Sequence, residues 1–132
     1  MSSFAREWAK RHDQRIKVVF NSTGFANPDK RLPFEVEVAI YRVVQEALTN
    51  ASRHSSAQIV SIILERDEKE VRVTIEDDGV GFDVEKVMNS PVENRRLGLM
   101  SMQERVQMVG GEFKIDSGAG TTIVVTIPLS NP

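Results

Sequence analysis

The chain has 132 residues, 40% hydrophobic and 27% charged, the composition of one globular domain that can bury a core of its own. With 17 basic residues against 19 acidic ones the net charge is −2, so no basic field marks nucleic acid as a partner. Cysteine is absent, which excludes disulfides and thiolate metal sites; the apolar runs are too short to span a bilayer, and charges fill the N-terminus where a signal peptide needs its apolar stretch, so the expected location is cytoplasmic.

Phe4, Trp8 and Ala9 share a face and predict a short helix over 3–12. Residues 15–22 (RIKVVFNS) are rich in β-branched and aromatic side chains and predict a strand. Gly24, Pro28 and Pro33 make 23–33 a loop, and Pro33 suits the start of a long helix over 34–53. In that helix Ile40, Val44, Ala47, Leu48 and Ala51 form the apolar stripe that buries against a sheet. Residues 58–66 and 70–77 read as a hairpin, with Val71, Val73 and Ile75 alternating with polar residues. Asp77 to Asp83 is a glycine-bearing turn, and 84–96, interrupted by Asn89, Ser90 and Pro91, reads as a long mobile connection. Leu99, Met102, Val106 and Val109 predict a helix starting near Leu99 and stopped by Gly110 and Gly111. Two strands, 112–117 and 121–129, close the chain around GAG. The expected architecture is α+β, a two-layer sandwich: a mixed, mostly antiparallel sheet of about five strands with about three helices on one face.

Three stretches carry candidate chemistry. Glu46, Asn50, Arg53 and His54 form a polar ladder on the long helix, since each four-residue step turns only about 40°; a solvated surface stripe is the alternative. In DDGVGFD (77–83) a carboxylate at a strand end, with two glycines beside it, suits a nucleobase, because Asp77 can accept from adenine's amine and repels the oxygen of guanine. A plain acidic turn is the alternative there, and the spacing excludes an EF-hand. Gly98 ahead of a helix start offers backbone N–H groups to a phosphate, although glycine before a helix is common. GAGTT (118–122) precedes a strand, so it is not a dinucleotide fingerprint. Asn50 then becomes a plausible oxygen ligand for Mg²⁺, which takes its other ligands from phosphates and water.

In this order EALTNASRH, DDGVGFD, LGLMSMQERV and GAGTT with a closing IPL resemble the catalytic and ATP-binding domain of bacterial sensor histidine kinases. That domain belongs to the GHKL ATPase superfamily, with type II topoisomerases, MutL and heat-shock chaperones, and the wording of the helix is most similar to kinases of the nitrate-sensor and membrane-fluidity-sensor type. The resemblance covers 32–129 and treats 1–132 as a single ATP-binding catalytic domain with 84–96 as its ATP lid. It implies that Asn50 binds Mg²⁺, that Glu46 acts catalytically on water or the phosphate acceptor, and that Arg53 and His54 lie toward the phosphates. It implies Asp77 on the adenine amine, Gly79 and Gly81 in the base pocket, Gly98 with Leu99 at the phosphate end of the lid, and Gly118, Gly120, Thr121 and Thr122 in the third glycine box. Two features depart from the pattern. Arg96, preceded by Arg95, stands where many members have glycine, so an arginine side chain can itself contact phosphate. The third box is compact, Ser117 running straight into Gly118.

The implied activity is transfer of the γ-phosphoryl group of ATP to a histidine on a separate dimerisation domain, with a response regulator downstream and a parent kinase that can be membrane-anchored. His12 and His54 are the only histidines, and neither has the setting of an acceptor, so the chain reads as an ATP-binding half, monomeric by itself, that holds ATP with Mg²⁺ without completing transfer. A GHKL-type serine kinase that inhibits a sigma factor and a nucleotide-gated interaction module without chemistry are the two competing readings.

Overall fold

The alternation of apolar residues in the strands sets the layout. The computed structural model describes residues 2–13, 15–27, 29–90 and 94–129. Its strands are β1 (Lys17–Thr23), β2 (Ile59–Arg66), β3 (Glu70–Asp77), β4 (Glu112–Gly118) and β5 (Gly120–Pro128). The order across the sheet is β1-β2-β3-β5-β4. β1 and β2 run parallel, joined through a long helix, and every other neighbouring pair is antiparallel. Register aligns Ile62, Ile75, Ile123 and Ile115 in one row across four strands. Because side chains alternate, this row and its neighbours Val60, Leu64, Val71, Val73, Val125 and Ile127 face one side, where all are buried except Ile115, which is half-buried.

Four helices accompany the sheet: α1 (Ser2–His12), α2 (Phe34–Arg53), α3 (Val84–Met88) and α4 (Asn94–Met108). α2 starts and stops where its sequence pattern does. Its buried stripe contains all five apolar residues read from the spacing, and adds Val36, Ala39, Val43 and Asn50. Leu99, Met102 and Val106 bring α4 into the same core beside α2. Among its described side chains α1 buries Ala5 and Ala9, and it lies against β1 and α2. The Asp13 carboxylate, just after α1, takes two hydrogen bonds from the Arg15 guanidinium and one from the Ser52 hydroxyl, clasping α1 to the last turn of α2. That guanidinium, chiefly, holds the Asp13 carboxyl far below the usual carboxylate range.

Two expectations need correction. Residues 84–88 are helical rather than irregular: Asp83 caps α3 by accepting from the Lys86 N–H at 3.1 Å. Residues 91–93 of the proposed lid lie outside the described residues. α4 begins at Asn94, so Gly98 sits inside the helix and not ahead of it. Glycine is unfavourable there by about 1 kcal/mol relative to alanine, but a Cβ on Gly98 would stand 1.9 Å from Glu46 Oε1. Glycine there leaves room for the Glu46 side chain between α2 and α4.

Candidate functional site

The C-terminal end of α2, the end of β3 and the β4–β5 turn converge at one end of the sheet. Two adjacent aspartates there are sorted by their hydrogen bonds. Asp78 accepts from the backbone N–H groups of Ile59 and Gln58, at 2.9 and 2.8 Å, which holds its carboxyl below the ordinary range and fixes the start of β2. Asp77 faces inward, accepting from the Gly79 N–H at 2.9 Å, and burial pushes its carboxyl up. Directly opposite Asp77 in the β3–β5 register stands Thr121, 7% exposed. Asp77, Thr121, Asn50 and Ser55 line one small cavity with Ala47, Phe82 and Ile115. Its volume is about 10 Å³, room for one water at most and none for a base. Phe82 forms part of the wall, and the Arg95 guanidinium covers its ring at 4.9 Å from the centroid.

Asn50 is 8% exposed, and none of the described residues hydrogen-bonds its carboxamide. The residue lines the cavity, where a ligand's polar atoms can reach its carboxamide. One turn earlier, Glu46 is half-buried with Gly98 pressed against it; burial raises its carboxyl, and the nearby Arg53 charge opposes the rise. Among the described residues no group of three or more His, Cys, Asp or Glu could hold a metal ion. The donor set fits Mg²⁺ only in the form of one carboxamide oxygen, with phosphates and waters supplying the rest.

Residues 35–131 match the family described as histidine kinase-, DNA gyrase B-, and HSP90-like ATPase. The chain belongs to this family. It is 36% identical over 121 residues to the signal transduction histidine-protein kinase/phosphatase DegS of Bacillus subtilis, covering 90% of this chain and 31% of that protein. It is 36% identical over 104 residues to the oxygen sensor histidine kinase NreB of Staphylococcus carnosus, covering 77% of this chain and 29% of that one. The chain thus spans less than a third of the length of these relatives. Among solved structures, the histidine kinase domain of the blue-light activated kinase of Erythrobacter litoralis EL346 superposes with a TM-score of 0.76 at 27% identity, over 97% of this chain and 58% of that one. The mycobacterial sensor histidine kinase MprB shares the fold, with a TM-score of 0.70 at 20% identity, over 96% and 90% of the two chains.

The family's motifs are gathered here, though not every residue takes the place its motif implies. Asn50, Asp77 and Thr121 come together, with Glu46 one turn back along α2 against Gly98. Arg53 ends α2, exposed, and His54 caps that helix with its N–H on the Asn50 carbonyl at 2.9 Å. Gly79 and Gly81 serve packing within the protein: a Cβ on Gly79 would stand 2.4 Å from the Ser55 carbonyl oxygen, and one on Gly81 2.0 Å from that of Gly118. Gly120, at φ +91°, lies against the Asp77 carbonyl in the same way. The Arg96 Nε donates to the Met88 carbonyl at 2.9 Å, tying α4 to α3. Leu99 is a core residue, 2% exposed. Thr122 pairs with Glu76 and Asp116 on the opposite face of the sheet, away from Thr121.

Sequence reading missed Ser55, Phe82 and Ser117. Ser55 is buried, lines the cavity and accepts the Val80 N–H on its carbonyl at 2.9 Å. An open cleft of about 550 Å³ lies at the other end of the sheet, around Lys30, Arg31 and Arg66. Lys30 and Arg31 are paired there with Glu68 and Glu37, at 3.9 and 3.4 Å, and none of the family's motif residues borders it.

The buried carboxylates predict a stability profile. Glu46 and Asp77 bind protons more tightly folded than unfolded, so their contribution to stability is fully present below the ordinary carboxylate range and is lost as pH rises through their raised folded values. At neutral pH the charge on Glu46 therefore destabilises the nucleotide-free fold. Glu46→Gln is expected to raise the thermal midpoint at pH 7 and to change it little at pH 4, as calorimetry at the two pH values would read.

Proposed function

We propose that this chain is the ATP-binding catalytic domain of a two-component sensor histidine kinase and donates the γ-phosphoryl group of ATP to a histidine on a dimerisation domain, with a response regulator next in line. The observation that carries the nucleotide assignment is the juxtaposition of the inward-facing Asp77 with Asn50 in one cavity. Asp77 would take the adenine amine and Asn50 would contribute one oxygen to Mg²⁺ held between the phosphates. Arg53 and His54, one turn beyond Asn50, would lie along the phosphate chain. Bound Mg²⁺ would neutralise charge on the transferring group, while the protein's own residues hold and orient it.

Residues 84–96 are proposed as the lid. Support comes from the contact of Arg95 with the Phe82 ring at the cavity wall, while Arg96 on the Met88 carbonyl ties the two ends of the segment together. Admission of the base requires Phe82 to give way, which needs this segment to shift. The domain would act in the cytoplasm, and among the described residues no helix is long and apolar enough to cross a membrane.

The test is nucleotide selectivity. ATP with Mg²⁺ should bind and GTP should not compete, and Asp77→Ala should weaken ATP by about 1.5–3 kcal/mol, the worth of a hydrogen bond to a charged group. Titration calorimetry reads both. Equal competition by GTP removes Asp77 as the reader of the base. A serine kinase of the same superfamily would leave acid-stable phosphoserine on its target, whereas phosphohistidine is acid-labile.

A further inference from the structure

The N-terminal helix α1 is fastened to α2 at two places. Near its start the Phe4 ring lies against that of Tyr41, with centroids 4.1 Å apart. Just past its end the Asp13 carboxylate, on a residue 7% exposed, accepts four hydrogen bonds. Its Oδ1 takes the Arg15 backbone N–H at 3.0 Å and the Arg15 Nε at 2.9 Å. Its Oδ2 takes the Arg15 Nη2 and the Ser52 hydroxyl, both at 2.9 Å. Arg15 is a near neighbour in the chain, and its bonds shape the corner between α1 and β1. Ser52 is 39 residues away, in the last turn of α2.

That turn carries the phosphate end of the candidate site. Asn50 lines the cavity, Arg53 ends the helix, and Ser55, just beyond, is buried and lines the cavity as well. Two residues along an α-helix turn the side-chain direction by about 200°, so Ser52 stands on the back of the turn whose front is Asn50. Helix ends fray unless their last groups are tied down. Here the His54 N–H donates to the Asn50 carbonyl at 2.9 Å, and the Ala57 N–H to that of Ala51 at 3.2 Å. The closure holds Ser56 at φ +50°, in the left-handed region that favours glycine. A serine closes the helix less well there than glycine does. The hydroxyl bond from Ser52 to an ionised acceptor is stronger than one between neutral groups, and it anchors the turn from outside the helix.

We propose that Ser52, held by Asp13, is a positioning residue for the phosphate end of the nucleotide site: it fixes the last turn of α2 so that Asn50 and Arg53 meet the metal and the phosphates in place. This rests on the ATP reading of the site. Neither Ser52 nor Asp13 lines the cavity, so the effect passes through α2. The base end, at Asp77 and Thr121, is carried by the pairing of β3 with β5 and does not depend on the clasp. Coupling between two places in a protein acts in both directions, so the seat of α1 and the occupancy of the phosphate end are linked.

The experiment titrates ATP with Mg²⁺, and separately adenosine, which has the base without phosphates, into wild type, Ser52→Ala, Ser52→Thr, Asp13→Ala and the Asp13→Ala/Ser52→Ala double variant, followed by NMR. Ser52→Ala should bind ATP with Mg²⁺ about fivefold more weakly or worse, the lower range of coupling between sites, while adenosine stays within about twofold of wild type. Ser52→Thr, which keeps the hydroxyl, should restore ATP binding. In the Asp13→Ala background Ser52→Ala should bring no further loss, since the partner of the hydroxyl is already gone. Thermal midpoints of the nucleotide-free variants establish that each is folded, and Ser52→Ala with Ser52→Thr carries the test should Asp13→Ala fail to fold. A clasp that served stability alone would lower the midpoint and leave both affinities at wild-type values, and that result overturns the proposal. Equal weakening of ATP and adenosine overturns it too, as does an additive loss in the double variant. If wild type binds neither ATP nor adenosine, the ATP reading itself fails.

Discussion

Asn50→Ala is expected to remove the Mg²⁺ dependence of ATP binding and to weaken the complex at least 30-fold, about 2 kcal/mol or more, while leaving the fold intact. The argument has two halves. Asn50 is buried, and none of the described residues hydrogen-bonds its carboxamide. Its removal therefore breaks no side-chain hydrogen bond to the described residues, so the thermal midpoint without nucleotide should hold. In the complex the same carboxamide is the proposed protein oxygen on Mg²⁺, with phosphates and water as the other ligands. A ligand that binds only the folded state stabilises it in proportion to the logarithm of its saturation. Wild type should gain several degrees from ATP with Mg²⁺, and the variant should gain little and respond alike with or without metal. Wild-type affinity and metal dependence in Asn50→Ala would remove the residue from the site.

A stability penalty at the site recurs in two side chains. Glu46 and Asp77 are both desolvated enough to have raised carboxyl values. Each would be better replaced by an apolar residue for folding alone, and each faces the same end of the sheet. Groups kept against their folding cost are those a ligand is built to satisfy.

Much of this was legible in the chain. α2 carries a periodicity of apolar residues strong enough to set both its ends, and the alternation of β3 gave its limits and its buried face. Membership of the family was readable because four motifs occur in a fixed order. What escaped the reading has identifiable causes. The parallel pairing of β1 with β2 depends on where the chain returns after α2, which no local pattern encodes. α3 is only five residues long, and its signal was the cap, Asp83 three residues before Lys86. The start of α4 was misplaced because Gly98 looks like a boundary, whereas it is a glycine inside a helix that leaves room for Glu46. Thr122 was grouped with Thr121 by motif, although period-two alternation in TTIVVTIPL already places them on opposite faces. Ser117 could be noticed only as a missing spacer, since it meets the Phe82 N–H and the Thr121 hydroxyl, which only the fold brings together.

The remaining prediction concerns chemistry. Phosphoryl transfer needs a nucleophile in line with the γ-phosphate, and positioning supplies much of the rate. Neither histidine of this chain has the setting of an acceptor: His12 stacks on Trp8 with its Nδ1 3.1 Å from the Trp8 carbonyl oxygen, and His54 directly follows α2, whose end its backbone N–H caps. Assayed as these 132 residues, the protein is expected to bind ATP, hydrolyse it slowly and form no stable phosphoprotein. Supplied with the dimerisation domain of its own kinase, it should label that partner in acid-labile form. Glu46 stands one turn before Asn50, and burial raises its carboxyl toward the range where a general base works well. A base must be deprotonated, so the transfer rate should rise with pH through the raised Glu46 value and level off above it. Glu46→Gln should lower the rate about 100-fold or more at saturating ATP, with ATP affinity nearly unchanged, and should lose that rising limb. A time course of transfer across pH with wild type and Glu46→Gln decides the matter. Equal rates would take Glu46 out of the reaction, and robust acid-stable labelling of the chain by itself would overturn the histidine-kinase reading.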